Sequence, residues 1–166
     1  MSSTGCDVST APSSDPSTLA AGAAQDRAAH ERVALSLARQ GMMQHLGVRL
    51  VSATVGQVEL AVPYSDKVTQ QQGGFHGGAI GALADIAAGY AALTVSPEGM
   101  EVTTVEYKIN FLSNFQGGEI RATGRVTKAG KRIIVTSAEV VLINDSGKRS
   151  DCAVMQSTLV PVPKTY

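Results

Sequence analysis

One carboxylate stands in an otherwise uncharged stretch of this sequence. Asp85 is the only charged side chain between Lys67 and Glu98, leaving His76 aside. A carboxylate in apolar surroundings is costly, and its pKa tends to rise, as expected of a general base or a carboxylate nucleophile. A single Asp on an apolar helix can also mark a solvated edge, and the pattern alone leaves both interpretations open.

Glycines precede this carboxylate, in the segment Gly73-Gly74-Phe75-His76-Gly77-Gly78. The first amides of a helix point outward unpaired, at the positive end of its dipole, where they can hold a developing oxyanion. A glycine-rich entry turn is the simpler alternative. Gly77 and Asp85 are eight residues apart, which is about 12 Å along a helix. If both act on one carbon, the second must come from another subunit, and two equivalent sites lie at a dimer interface.

The helix that carries Asp85 is predicted over residues 76–94. Its large side chains share one face: Ile80, Leu83, Ile86, Tyr90 and Leu93. The opposite stripe holds small residues around the carboxylate: Gly78, Gly81, Asp85, Gly89 and Ala92. Each helical glycine costs up to about 1 kcal/mol relative to alanine. The stripe therefore indicates the close approach of a sheet or a ligand.

The elements around this helix indicate one α+β domain over residues 26–166. Residues 1–25 have almost no large apolar side chains and are expected to form a disordered tail. A helix is predicted at about 26–41, followed by two strands between 47 and 63 that turn near Gly56. Four strand-like runs follow the central helix, at 101–112, 118–128, 132–144 and 150–161. Short glycine-containing turns between them predict an antiparallel sheet.

Composition excludes several classes of function. The 166 residues carry fourteen basic and fourteen acidic side chains and no Trp, so neither a global field nor stacking platforms favour nucleic acid. We expect no membrane span and no secretory signal, and therefore a reduced, cytoplasmic protein without a disulfide between Cys6 and Cys152. No His, Cys and carboxylate spacing matches a zinc site, and no serine has the context of a nucleophile elbow.

The spacing around the central helix resembles the phenylacetate-pathway (PaaI-type) and hydroxybenzoyl-CoA thioesterases of the hotdog superfamily. An HGG triplet that opens the helix, with an acid nine residues after its His, is fairly specific. The resemblance covers about residues 42–161 and rests on four features: Gln70, His76-Gly77-Gly78, Asp85 and the strand TVEYKINF at 104–111. It implies a hotdog fold, in which an antiparallel sheet of five to six strands wraps a long central helix.

The resemblance also implies a role for each site residue. Asp85 would attack the thioester or activate water, and the Gly77 N–H would polarise the carbonyl. His76 would orient the loop or the carbonyl, Gln70 would position the water or the carbonyl, and Thr104 would assist the water. Asp85 and Thr104 would come from one subunit of a homodimer and the other three from its partner. Such dimers commonly pair into tetramers.

The substrate implied is an acyl-CoA, with no separate cofactor, since coenzyme A is part of the substrate. Gly78 joins Gly77 at the predicted anion-binding helix start. Lys128, Lys131 and Arg132 flank one turn and suit the phosphates of coenzyme A, although solvated charges at strand ends are the commoner explanation for any one of them.

Some features leave alternatives open. Three consecutive glutamines, 70–72, leave it undecided which one faces the site. Many relatives carry Arg-Pro where this chain has Ser113-Asn114, and some carry a side chain that reaches the water where this chain has Gly89.

Several functions also remain open from the sequence. Aryl and medium-chain acyl groups, and an acyl-carrier-protein substrate, are all compatible with it. A non-catalytic acyl-CoA-binding module is the main alternative function. A hotdog hydratase or dehydratase ranks lower, because the site His precedes the Asp by nine residues.

Overall fold

The computed structural model describes residues 16–166 and contains three α-helices and six strands in that part of the chain. The helices are α1 (Pro16–Leu37), α2 (Gly41–Leu46) and α3 (Gly77–Val95). The strands are β1 (Arg49–Thr54), β2 (Gln57–Pro63), β3 (Met100–Phe111), β4 (Glu119–Ala129), β5 (Ile134–Ile143) and β6 (Arg149–Pro163). A short 3₁₀-helix, Asp66–Val68, precedes the loop into α3. The predicted order of elements is confirmed.

All six strands form one antiparallel sheet in the order β1-β2-β4-β5-β6-β3. The predicted reversals at Gly56 and Gly147 adopt positive φ angles of 82° and 79°, which glycine tolerates without strain. Strand β3 pairs only with β6 within the described chain, so its other side is an open edge. The strand that carries Thr104 is therefore available to pair with another molecule.

Helix α3 crosses one face of the sheet and contacts all six of its strands, β1 the least. The closest approach is at Gly124 of β4, where an added Cβ would lie 2.2 Å from the carbonyl oxygen of Ala87. The glycines of the predicted stripe are less crowded, because a Cβ at Gly81 or Gly89 would meet its nearest neighbour at 3.8 Å. These neighbours are Tyr107 of β3 and Leu159 of β6, so both glycines face the sheet at ordinary contact distance.

Helix α1 begins at Pro16, about ten residues before the predicted start near 26. Residues 16–25, which we expected in the tail, form its first turns, because the Ala-rich stretch has high helix propensity. Only Ala29, Val33 and Leu37 of α1 are buried, one per turn. The chain then turns, and α2 ends at Gly47 in the left-handed conformation. The rest of the predicted tail, residues 1–15, lies outside the described residues.

Helix α3 is long and apolar enough to cross a membrane by length and composition, with a mean hydropathy of 1.5. Our expectation that no segment reaches that length is wrong. However, 67% of an 18-residue apolar window of this helix is buried inside the fold, as in a core helix.

Candidate active site

Asp85 lies at the middle of α3, where β3 passes alongside the helix. The hydroxyl of Thr104 on β3 donates a hydrogen bond of 2.9 Å to its Oδ1. This contact brings together two of the predicted site residues. Thr104 orients the carboxylate, and the lone pairs of its hydroxyl oxygen can still accept a hydrogen bond from water.

The environment of Asp85 raises its pKa above the ordinary aspartate value. Burial is the larger cause, and the hydrogen bond from Thr104 opposes it. No positively charged side chain within the described chain forms an ion pair with this carboxylate. The free energy of the charged form is therefore raised, which strengthens the carboxylate as a proton acceptor.

A cavity of about 90 Å³ opens beside Asp85 toward the C-terminal half of α3. Its polar side chains include Ser36 and Gln40, from the end of α1 and the turn after it. Gly89 contributes no side chain to the wall, so the space next to the carboxylate stays open. Asp85 thus faces a pocket rather than bulk solvent alone.

His76 caps the N-terminus of α3. Its backbone is extended (φ −69°, ψ 134°), and its Nδ1 accepts a 2.8 Å hydrogen bond from the Gly78 N–H. A neutral ring that accepts at Nδ1 carries its proton on Nε2, so that the exposed edge of His76 is a donor. The same bond occupies the Gly78 N–H. The amide of Gly78 therefore has a partner within the chain, whereas its predicted role in binding substrate stays a prediction.

The Gly77 N–H has no hydrogen-bond acceptor among residues 16–166. Gly77 lines a second cavity, of about 340 Å³, together with Gln70, Phe111 and Asn114. Of the three consecutive glutamines, only Gln70 lines this cavity. The Oε1 of Gln70 accepts from a backbone amide two residues later, which leaves its NH₂ group as the donor for a ligand.

Backbone contacts fix the loop that carries Gln70 and His76. The His76 N–H donates to the Val68 carbonyl at 2.7 Å, and the Phe75 N–H donates to the Phe115 carbonyl at 3.0 Å. Phe75 is 2% exposed and packs edge-on against Tyr64, with ring centroids 5.4 Å apart. The helix entry is therefore a rigid scaffold for the Gly77 amide.

The two halves of the predicted site do not meet within one chain. Gly77 and Asp85 line different cavities, and both lie on the same straight helix. This separation agrees with the roughly 12 Å that eight helical residues span. A single chain therefore presents a carboxylate half, with Thr104, and an amide half, with Gln70 and His76.

The predicted phosphate-binding side chains lie elsewhere. Lys128, Lys131 and Arg132 are exposed around the turn between β4 and β5. Lys131 lines a cavity of about 380 Å³ beside Val95, at the C-terminal end of α3. None of the three lines the cavity of Asp85 or of Gly77.

Several residues that line the two cavities were not predicted from the sequence. Ser36, Gln40 and Glu101 border the cavity of Asp85. Ser36 and Gln40 lie at the end of a predicted helix, but that position does not specify a contact with α3. Glu101 has no sequence signal for this cavity. Phe111 and Asn114 border the cavity of Gly77, and the departure from Arg-Pro at Ser113-Asn114 was a signal for this second group.

No group of three or more His, Cys, Asp or Glu side chains in residues 16–166 is placed to hold a metal ion. Cys152 is the only cysteine in this range; it is buried, and burial raises its pKa to about 11. A thiol with such a pKa is a poor nucleophile at neutral pH. The chemistry available in the described chain is thus that of Asp85 and the helix amide.

Comparison with known proteins identifies the family of this chain. The family model of the thioesterase superfamily matches residues 72–146. A thioesterase family protein from Silicibacter pomeroyi has a solved structure that is 36% identical, with a TM-score of 0.77, over 81% of this chain and 98% of that protein. The 1,4-dihydroxy-2-naphthoyl-CoA hydrolase of Listeria monocytogenes is 32% identical over 92 residues, 55% of this chain and 74% of that enzyme.

The PaaI protein from the phenylacetic acid degradation operon of Escherichia coli shares the fold, with a TM-score of 0.74 at 22% identity over 85% of this chain and 98% of that protein. A six-stranded antiparallel sheet around a long helix is thus the hotdog fold, as predicted. The chain belongs to the thioesterase superfamily. It is a thioester hydrolase, which confirms the predicted class of enzyme.

Proposed function

We propose that this protein hydrolyses aryl- or medium-chain acyl-CoA thioesters at sites shared between two subunits, with Asp85 as the reacting carboxylate. One observation carries the proposal: Asp85 is partly buried, has a raised pKa and is hydrogen-bonded by Thr104, and it faces a pocket. Perturbed carboxylates in clefts are candidates for catalysis.

Two reaction courses use the same carboxylate. As a general base, Asp85 takes a proton from water, the water oxygen attacks the carbonyl carbon, and the C–S bond breaks as the thiolate takes that proton. As a nucleophile, a carboxylate oxygen forms an anhydride and expels the thiolate of coenzyme A, and water then cleaves the anhydride. Both courses place negative charge on the carbonyl oxygen, where a helix amide stabilises it.

A second copy of the chain supplies that amide in our proposal. The open edge of β3 carries exposed apolar side chains, with Val105 at 61%, Tyr107 at 45% and Phe111 at 53% exposure. Exposed apolar residues on an unpaired edge favour pairing with another strand. Antiparallel pairing of two β3 strands about a twofold axis would bring the Asp85 half of one subunit toward the Gly77 half of the other. Assembly of two such dimers into a tetramer is part of the same proposal.

Coenzyme A would extend from this shared site to the surface. Lys131 lies beside Val95, the last residue of α3. Val95 is ten residues after Asp85, which is about 15 Å along the helix. The extended arm between the thioester and the phosphates of coenzyme A can span such a distance. Lys128, Lys131 and Arg132 would then contact the phosphates as solvent-exposed cations. The 1,4-dihydroxy-2-naphthoyl-CoA hydrolase relative supports an aryl acyl-CoA as the first substrate to test.

The test is thiol release from a panel of aryl- and alkyl-CoA esters. Wild type should cleave some of them, and Asp85→Asn should lose at least about 10³-fold in kcat while it still binds substrate. Asp145→Asn, on the exposed turn between β5 and β6, is the matched control for loss of one carboxylate and should behave as wild type. Near-normal turnover by folded Asp85→Asn would contradict the assignment of Asp85.

The panel also tests the main alternative function, a module that binds acyl-CoA without cleaving it. If wild type binds acyl-CoA esters but cleaves none of them, this protein is not a hydrolase of these substrates. Acyl-carrier-protein thioesters are then the next substrates to assay. A wild type that neither binds nor cleaves any of the esters would contradict the proposed substrate class.

A further inference from the structure

A hydrogen-bonded pair of side chains closes the far end of the cavity beside Asp85. The Gln40 NH₂ group donates to the Tyr90 hydroxyl at 2.9 Å, and that hydroxyl lies 3.4 Å from the Ser36 oxygen. Tyr90 is 3% exposed and lies five residues beyond Asp85 on α3. The pair therefore joins α3 to the turn that follows α1.

Beyond this pair lies an outer cavity of about 470 Å³, bordered by Arg39 and Tyr166. The inner and outer cavities share Ser36, Gln40, Glu101 and Val102 as wall residues. The two spaces are thus neighbours, and Gln40 is part of the wall that they share. A shorter side chain at this position is expected to widen the space between them.

The wall is firmly held. Arg32 of α1 donates to the carbonyls of Ser96 and Pro97 at 2.8 and 3.2 Å, and it also bonds the carbonyl of Met100. These bonds fix the C-terminal half of α1 to the end of α3, one turn before Ser36. Gln40 precedes α2 as its N-cap residue, but its side chain makes no capping bond. The side chain of Gln40 is therefore committed to Tyr90 rather than to the local backbone.

The volume of the inner cavity determines which acyl groups fit in front of Gln40. The inner cavity, at about 90 Å³, is smaller than the roughly 150 Å³ cavity that holds one benzene ring. An acyl group of ring size or longer that enters this cavity from Asp85 must therefore reach past Gln40. A short acyl group fits in front of it.

We propose that Gln40 is a specificity-determining residue whose displacement sets the cost of accepting aryl and longer acyl groups relative to short ones. Acyl chains that end inside the inner cavity leave the Gln40–Tyr90 hydrogen bond intact, whereas longer chains and rings must displace the Gln40 side chain into the outer cavity. This inference rests on the proposed function, because it assumes that the thioester lies at Asp85.

The experiment compares kcat/KM for butyryl-, hexanoyl-, octanoyl- and phenylacetyl-CoA in wild type, Gln40→Ala and Tyr90→Phe. Each methylene that gains a buried position raises kcat/KM by up to about fourfold. In Gln40→Ala the octanoyl-to-butyryl ratio should rise at least about tenfold. Tyr90→Phe keeps the ring but removes the hydroxyl that accepts the Gln40 hydrogen bond. The octanoyl-to-butyryl ratio of this variant should therefore rise as well, but by less.

Gln44→Ala is the matched control. Its side chain bonds the Ala38 carbonyl on the exposed surface and lines neither cavity, so the substrate profile should stay that of wild type. Circular dichroism and thermal melting confirm that each variant is folded. Wild-type ratios in folded Gln40→Ala and Tyr90→Phe would overturn the proposal.

A binding measurement separates this inference from the proposed function. Calorimetry with S-butyl- and S-octyl-coenzyme A, thioethers that cannot be hydrolysed, reports chain length without turnover. Gln40→Ala should favour the octyl compound at least about tenfold more than wild type does. If the affinity ratio shifts as expected but wild type cleaves no ester, the result contradicts the proposed function and leaves the role of Gln40 intact. An unchanged affinity ratio overturns the role of Gln40 whatever the turnover.

Discussion

Replacement of Gly77 by proline removes one N–H group from the start of α3 with little disturbance of the helix. Gly77 is the first helical residue, where proline is favoured because that N–H has no partner in the helix. The residue before a proline must be extended, and His76 already has φ −69° and ψ 134°. An added Cβ would lie 3.4 Å from the Phe111 ring, which is half exposed in the single chain.

The expected loss follows from the role of the amide. If the Gly77 N–H holds the developing oxyanion, its removal should lower kcat by about 10²–10³, or roughly 3–4 kcal/mol of transition-state stabilisation. The thermal midpoint should change by only a few degrees, because no hydrogen bond within the described chain is lost. A large loss of activity with little loss of stability is the signature that separates this role from a structural one.

The assay is thiol release at saturating substrate, with Gly77→Ala as the matched control. Alanine places the same Cβ beside Phe111 but keeps the N–H, so Gly77→Ala should retain activity within about tenfold of wild type, since only the added methyl is new. Near wild-type activity in both the proline and the alanine variant would refute the assignment of this amide. An equal loss of activity in both variants would also refute it and would point to crowding against Phe111.

Three further predictions follow from the same contacts. Thr104→Val removes the hydrogen bond that lowers the pKa of Asp85, so the acid limb of the kcat/KM–pH profile should move to higher pH. Gly124→Ala places a Cβ 2.2 Å from a carbonyl oxygen of α3 and should cost about 2 kcal/mol or more, roughly 4–8 °C in Tm. Gly41→Ala, with nothing within 4 Å, is its control in thermal melts. The Cys152 thiol is buried, with a pKa of about 11, and should react with a thiol dye only after denaturation.

These predictions fail under different results. An unmoved acid limb in Thr104→Val would mean that Asp85 does not set it. Equal melting temperatures for Gly124→Ala and Gly41→Ala would contradict the tight contact between β4 and α3. Rapid labelling of Cys152 in the native protein would contradict its burial in the sheet.

Most of the fold could be predicted because its signals are local. The strand runs alternate apolar and polar side chains, and glycine turns such as Gly56 separate them. The start of α1 is not predicted from the sequence because a low content of large apolar residues predicts disorder. An Ala-rich stretch that continues an amphipathic helix needs few buried contacts of its own, and α1 buries only Ala29, Val33 and Leu37.

The site was predictable where its residues lie close in sequence. Asp85 stood out as one charge in an apolar helix, and the pairing of Asp85 with Thr104 followed from the family resemblance. The occupied Gly78 amide was not foreseen, because the sequence does not specify which way the His76 ring turns. Gln40 was missed for a different reason: it lies fifty residues from Tyr90, and only the packing of α1 on α3 brings them together.

Mixed dimers test the shared site most directly. Asp85→Asn and Gly77→Pro each damage one half of the site, and a dimer of one subunit of each restores one intact site, with Asp85 from one subunit and the Gly77 amide from its partner. Equal amounts, co-refolded, should regain about a quarter of wild-type activity, since half of the dimers are mixed and each has one of two sites. Activity no higher than that of the two variants assayed separately would contradict the shared site.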